Sequence, residues 1–158
     1  MPKRRHIDVD NSQVKRLADK VSETNSKFVE NLIKNVDLFG MQMEDDSKAL
    51  APVDSRDLEQ SINSKTSYSK GIVSSVTGSN LEYALRRHEE QPRIGKYNKY
   101  HKGAKYKDYY YNGRGKLTRA KENVNDFKPG RKYLTNASLI NRKNWNTTLI
   151  DSFKESWR

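Results

Sequence analysis

Residues 49–54, Ala49-Leu50-Ala51-Pro52-Val53-Asp54, mark the point at which the hydropathy period of the chain changes. Upstream of them Val14, Leu17, Val21, Phe28, Leu32, Val36 and Phe39 recur at spacings that share one helical face, joined by Val29 and Ile33. Asp10 is placed to cap this helix, with Gln13 three residues on as its reciprocal partner. Gly40 interrupts the pattern, yet Met43, Ser47 and Leu50 continue it. The spacing therefore predicts either a kinked helix or two helices meeting at Gly40. Pro52 ends the run, because the residue before a proline avoids helical angles. Residues 1–12, with Lys3, Arg4 and Arg5, read as a basic arm.

Downstream the period is two. Ile62, Ser64, Thr66 and Tyr68 alternate with polar residues, Ser69-Lys70-Gly71 makes a turn, and Ile72 to Thr77 is β-branched and serine-rich. This predicts a hairpin, closed by Gly78-Ser79-Asn80. Leu81, Ala84, Leu85 and His88 then place a short amphipathic helix over 81–90. From Arg131 a helical pattern returns with Leu134, Ala137, Ile140, Trp145, Leu149, Phe153 and Trp157, and Asn141 to Asn146 is a point where it could divide in two. No internal repeat is present. The reading is an α+β domain over 13–158, with a long insertion at 92–129.

The composition makes a thin core inevitable. Of 158 residues only 33% are hydrophobic and 32% are charged, and the mean hydropathy is −1.08. The absence of cysteine removes disulfides, cysteine-based zinc sites and thiol chemistry together. No apolar run approaches the roughly 18 residues needed to span a bilayer. The start, Met1-Pro2-Lys3-Arg4-Arg5, leads into polar residues rather than a signal-peptide core, so neither a membrane protein nor a secreted one is expected.

The net charge of +11 is concentrated. Between Gln91 and Lys143 there are 15 Lys and Arg against three Asp and Glu, so that stretch carries +12 and the remainder −1. A field of that kind suits nucleic acid or an acidic protein surface. Six of the nine tyrosines fall between Tyr97 and Tyr111, and aliphatic residues there are sparse, which predicts a long loop with a β-ribbon around Tyr106 to Tyr111. Its first half offers Arg93, Lys96, Tyr97, Lys99, Tyr100 and Lys102; its second offers Lys105, Tyr106, Lys107, Tyr109, Tyr110, Arg114 and Lys116. Lysines neutralise phosphates and aromatic faces stack on bases, so the loop suits single-stranded nucleic acid. The favoured alternative is a protein interface with tyrosines as anchors.

Catalytic signals are weak. His6, His88 and His101 have no metal-ligand spacing, and neither a nucleophile elbow nor a glycine-rich phosphate loop is present. His88-Glu89-Glu90 is the one dense acid–base cluster, and His88 has the chemistry of a general base. The plainer reading makes it the polar end of a short helix. No catalytic residue, metal or cofactor is assigned. Trp145, Phe153 and Trp157 suit docking onto another subunit, with packing in the core as the simpler use.

Three motifs, taken in order, match a known pattern. Ala51-Pro52-Val53-Asp54, followed by Leu58 and Ser61-Ile62, resembles the Ala-Pro-x-Asp-Thr-Gly-x-Leu-x-x-Ser-Ile signature of the tail-completion, or head–tail joining, family of long-tailed bacteriophages. Tyr83-Ala84 with His88-Glu89 is similar to that family's Tyr-Ala-x-x-x-His-Glu element. Gly130-Arg131-Lys132-Tyr133-Leu134 with Ala137 is similar to its closing Gly-x-x-Phe-Leu-x-x-Ala motif. Order and spacing agree from about Val14 to Ile150. The chain departs from the pattern at Ser55-Arg56, where the family often has Thr-Gly, at Tyr133 for Phe, and in the length of 92–129.

The resemblance implies an N-terminal helix packed on a small, mostly antiparallel sheet with a C-terminal helix beside it. It also implies rings, usually six-fold, in the virion neck, between the head connector or stopper and the tail tube or terminator. Its partners would be copies of itself, those neighbouring rings and, in passing, genomic DNA. Synthesis in the cytoplasm of a bacterial host follows from the same resemblance.

Overall fold

The structure, a computed structural model, describes residues 11–157. Helix α1 spans Asn11–Leu50 as one uninterrupted element of 40 residues. Of the two expected alternatives at Gly40, division into two helices is therefore corrected, and packing supplies a reason for the glycine. Gly40 is buried where the next hairpin crosses the helix, and a Cβ there would lie 2.5 Å from Ser75 Oγ and 2.6 Å from Ser64 Oγ. Residues 11 and 12 of the expected arm are already helical; the rest of the arm and the Asp10 cap lie outside the described residues.

α2 (Asp57–Ser61) follows Pro52. β1 (Asn63–Ser69) and β2 (Ile72–Gly78) then pair antiparallel in full register, from Asn63 opposite Gly78 to Ser69 opposite Ile72. Lys70 and Gly71 both have positive φ, 51° and 78°, which is the two-residue turn whose twist matches the strands. The hairpin's polarity is inverted. Ser64, Thr66, Val73, Ser75 and Thr77 are the half-covered residues on the face that meets α1, whereas Ile72 and Val76 are 67% and 70% exposed. Small hydroxyl side chains allow the close approach at Gly40; Ser64 bonds to Ser75 and accepts from Thr77, both at 3.1 Å, whereas Thr66 Oγ1 is buried without a partner.

α3 (Ala84–Glu89) is shorter than the 81–90 expected. In the insertion the ribbon expected around Tyr106 to Tyr111 is present, and the correction is one of extent, because regular structure continues on both sides of it. β3 (Lys96–His101), β4 (Ala104–Tyr111) and β5 (Arg114–Gly115) form an antiparallel meander, followed by α4 (Lys116–Ala120). Its two turns, Lys102-Gly103 and Asn112-Gly113, again have positive φ at both residues. A register shift between Tyr97 and Lys99 bends the ribbon.

α5 (Tyr133–Ser156) runs antiparallel to α1 and is not divided at Asn141. Asn141 is fully buried, and its amide donates to Asp46 Oδ2 of α1 at 2.5 Å and to Ala137 O at 3.0 Å, so a residue that usually favours turns is held inside the helix. Phe39 meets Trp145 edge-on at 5.2 Å, and Phe28 meets Phe153 at 6.1 Å. These aromatics nonetheless lie outside the core. Trp145, Phe153 and Trp157 are 36%, 55% and 58% exposed, which corrects the core-packing expectation. The core itself is small and sits at the C-terminal end of α1, built from Leu50, Ala51, Leu58, Ile62, Ala84, Tyr133 and Ala137. The architecture is α+β, with two long helices and two small antiparallel sheets. No helix among the described residues is long and apolar enough to cross a membrane.

Candidate functional site

The motif residues form the core and its fastenings, and Pro52, Asp54, Leu58 and Tyr83 also line a cleft of about 350 Å³. Ala51, Leu58 and Ile62 come from the first motif, Ala84 from the second, and Tyr133 and Ala137 from the third. Leu134 packs against them. The last carbonyls of α1 would be unsatisfied where Pro52 stops the helix. Instead, Gly130 N–H donates to Leu50 O at 2.7 Å, and Lys121 Nζ donates to Lys48 O and Ala51 O at 2.6 and 3.1 Å. Burial holds the Lys121 ammonium below its usual pKa, against the opposing pull of Glu59. Thr118 is buried and clasps Val53 at both ends, accepting from its N–H at 2.8 Å and donating to its carbonyl at 3.1 Å. Neither Thr118 nor Lys121 carries any signal in sequence, because each acts on backbone about 65 or more residues away.

Asp54 faces the ribbon root. Its carboxylate pairs with Lys99 Nζ and accepts weakly from Tyr109 OH at 3.4 Å. The Lys99–Asp54 hydrogen bond raises the Lys99 pKa, and burial raises that of Tyr109. Two residues on, Arg56 adopts φ 72°, ψ −1°, the left-handed conformation. It occupies the position at which the resembled signature carries glycine.

His88 is buried between α3 and the start of α5. Nδ1 lies 2.8 Å from Glu89 Oε1, Nε2 lies 3.3 Å from Thr135 Oγ1, and the ring meets Tyr133 edge-on at 5.1 Å. Lys132 N–H donates to His88 O at 3.1 Å, and Lys132 Nζ pairs with Glu89. The Lys132 bond, and then the His88 bond, hold the Glu89 carboxyl below its ordinary pKa. His88 thus ties α3 to the start of α5. His101 sits at the exposed ribbon tip, and His6 lies outside the described residues. Among the described residues no group of three His, Asp or Glu side chains is placed to hold a metal ion.

The basic tyrosine segment divides into a root and a tip. Tyr97, Lys99, Tyr109, Tyr110 and Arg114 are half-buried at the root, with Tyr109 and Tyr110 edge-on at 4.9 Å and Gly115 passing beneath Tyr109. From Tyr100 to Lys107 every residue is exposed. Tyr100, Lys102, Lys105, Tyr106 and Lys107 thus project on both faces of a free ribbon, with Tyr100 70% exposed. Lys96, Arg93 and Lys116 are exposed nearer its base. Beside the root lies a cleft of about 350 Å³ lined by Arg87, Arg93, Arg114 and Arg131. Arg87 and Arg131 carry no signal in sequence as members of this cleft, because it draws on segments separated by more than forty residues.

Comparison of the chain with protein-family models, curated proteins and solved structures finds no match.

Proposed function

We propose that the protein is a structural, non-catalytic subunit of the neck of a long-tailed bacteriophage, forming a ring with copies of itself between the head connector and the tail. The observation that carries this reading is the convergence of the three motifs. Segments more than seventy residues apart supply one core, so the pattern read along the sequence is also one unit in space. Assembly also fits the surface, since Ile72, Val76, Phe153 and Trp157 remain more than half exposed while the core holds few large side chains. Apolar surface of this kind marks interaction sites, and a ring stabilises each subunit through its neighbours.

In this reading the free ribbon reaches an adjacent ring. Its lysines favour acidic protein surfaces and its tyrosines supply anchor area. A conducting lumen must let DNA slide, so the ribbon points away from the channel. Mass spectrometry of purified particles, with imaging of the neck, tests the proposal. Particles that contain the chain in a ring between connector and tail support it; infectious particles that lack the chain overturn it.

One observation favours a second reading. Exposed Tyr100 and Tyr106 alternate with exposed lysines on the ribbon, the arrangement that stacks bases and neutralises phosphates. Saturable, salt-sensitive binding of short single-stranded DNA by the ribbon of the isolated chain, lost on replacing those tyrosines, would put this reading first.

A further inference from the structure

Lysine and arginine are segregated in the basic segment. The ribbon carries lysines, whereas the cleft at its root gathers Arg87 from α3, Arg93, Arg114 of β5, and Arg131. Arginine is the side chain suited to partly buried anion recognition, because its planar fork donates two parallel hydrogen bonds and is more weakly hydrated than an ammonium.

Two of these guanidinium groups are already positioned. Arg114 Nε donates to Pro129 O at 2.7 Å and Arg131 Nε donates to Glu89 O at 3.2 Å, which fixes each fork while leaving its terminal nitrogens to other partners. Both side chains belong to half-buried residues. Arg93 lies over the Tyr97 ring, 4.1 Å from its centroid. Among the described residues none of the four has a carboxylate within 4.0 Å. Holding cationic groups in one cleft without a counter-charge is unfavourable. Burial, and then Arg119 outside the cleft, hold Arg114 below its usual pKa.

The neutral polar groups of the cleft have the same bias. Asn98 Oδ1 accepts from Asp108 N–H at 3.0 Å, and Asn112 Oδ1 accepts from Gly95 N–H at 2.8 Å. Because those partners can only donate, each amide must turn its NH₂ away from them as a remaining donor. The one acid on the lining, Glu90, lies 3.7 Å from Arg86. The cleft therefore combines a high positive charge with an excess of donors. A single carboxylate would neutralise only a quarter of that charge, whereas a terminal phosphate or pyrophosphate brings more charge and more acceptor oxygens.

We infer that this arginine cleft is a binding site for a multiply charged phosphate group, borne by a free nucleotide or polyphosphate or by the 5′ end of a nucleic-acid strand. The inference is independent of the neck reading and concerns a site distinct from the ribbon tip.

The test uses the full chain and calorimetric titration at low and physiological ionic strength. The probes are inorganic pyrophosphate, a deoxynucleoside triphosphate, a six-residue oligothymidylate with and without a 5′-phosphate, and a hexaglutamate peptide. One saturable site for pyrophosphate is expected. Because Arg87 and Arg93 are exposed and hold no backbone, Arg87→Gln with Arg93→Gln should leave the circular-dichroism melt unchanged and weaken pyrophosphate binding at least tenfold. Lys102→Ser with Lys105→Ser, at the ribbon tip, should leave it within twofold. A preference for the 5′-phosphorylated oligonucleotide over its 5′-hydroxyl form assigns the strand end, and a preference for triphosphate or pyrophosphate assigns the free ligand; either supports the site. Absence of saturable pyrophosphate binding at low salt, binding unaffected by the arginine pair, or tighter binding of hexaglutamate than of any phosphate would overturn it.

Discussion

Replacing Arg56 by glycine should stabilise the protein. Arg56 holds φ 72° at the head of α2, a conformation that costs an ordinary L-residue about 1–2 kcal/mol. Glycine removes that cost but loses more freedom on folding, which returns about 0.5–1 kcal/mol. The Arg56 side chain is exposed and has no hydrogen bond or ion pair among the described residues. Its charge also disfavours the buried ammonium of Lys121 nearby. The net gain is roughly 0.5–1 kcal/mol, and at ~2–4 °C per kcal/mol for a domain of this size the melting temperature should rise by about 2 °C. Thermal and urea melts followed by circular dichroism read the effect. Arg56→Ala is the control, since it removes the charge but keeps a Cβ in the left-handed region and should gain little. Equal gains for alanine and glycine would assign the effect to charge, and no gain for glycine would refute the strain argument.

Other perturbations test other joints of the fold. Gly40→Ala should destabilise by about 1 kcal/mol, overlap with the Ser64 and Ser75 hydroxyls outweighing the gain in helix propensity. In a Ser64→Ala, Ser75→Ala background the sign should reverse, and a double-mutant cycle of urea midpoints reads the reversal. Thr118→Val keeps the shape but strips the buried Val53 N–H and carbonyl of their partner, and should cost about 2 kcal/mol or more by chemical denaturation. The depressed Glu89 carboxyl contributes stability that is complete above its ordinary pKa of 4.5 and lost as pH falls through its lower folded value. Glu89→Gln should therefore be less stable than the parent at neutral pH and converge on it in acid, as read from melts between pH 7 and pH 3.

The long helices, the stop at Pro52 and the first hairpin were legible because each rests on local rules: a helical period, a pre-proline restriction, and Lys70-Gly71 between alternating runs. The packing role of Gly40 is not legible in the sequence, for a physical reason. Its role is set by hydroxyls 24 and 35 residues away, and helix propensity contains no term for a strand crossing overhead. In the insertion the strand around Tyr106 to Tyr111 was legible, but its partners were not, because the alternation is Tyr and Lys rather than aliphatic and polar, although Asn112-Gly113 is a turn signal present in the sequence. Asn141 looked like a break because its partner, Asp46, lies on the opposite helix. Of the candidate site, the ribbon's basic and aromatic side chains were visible in advance. The arginine cleft was not, since its members are brought together only by β5, α3 and the approach to α5.

The unequal length of the two long helices has its own consequence. At 1.5 Å per residue α1 extends about 60 Å and α5 about 36 Å, and the last aromatic contact between them joins Phe28 to Phe153. Beyond it α1 continues as a spar carrying Val14, Leu17 and Val21 in the open, each more than half exposed. With few tertiary contacts, those turns should exchange amide hydrogens far faster than the turns around Val36 when the chain is dilute. Slowing of that exchange as concentration rises would time the moment at which the spar finds its berth.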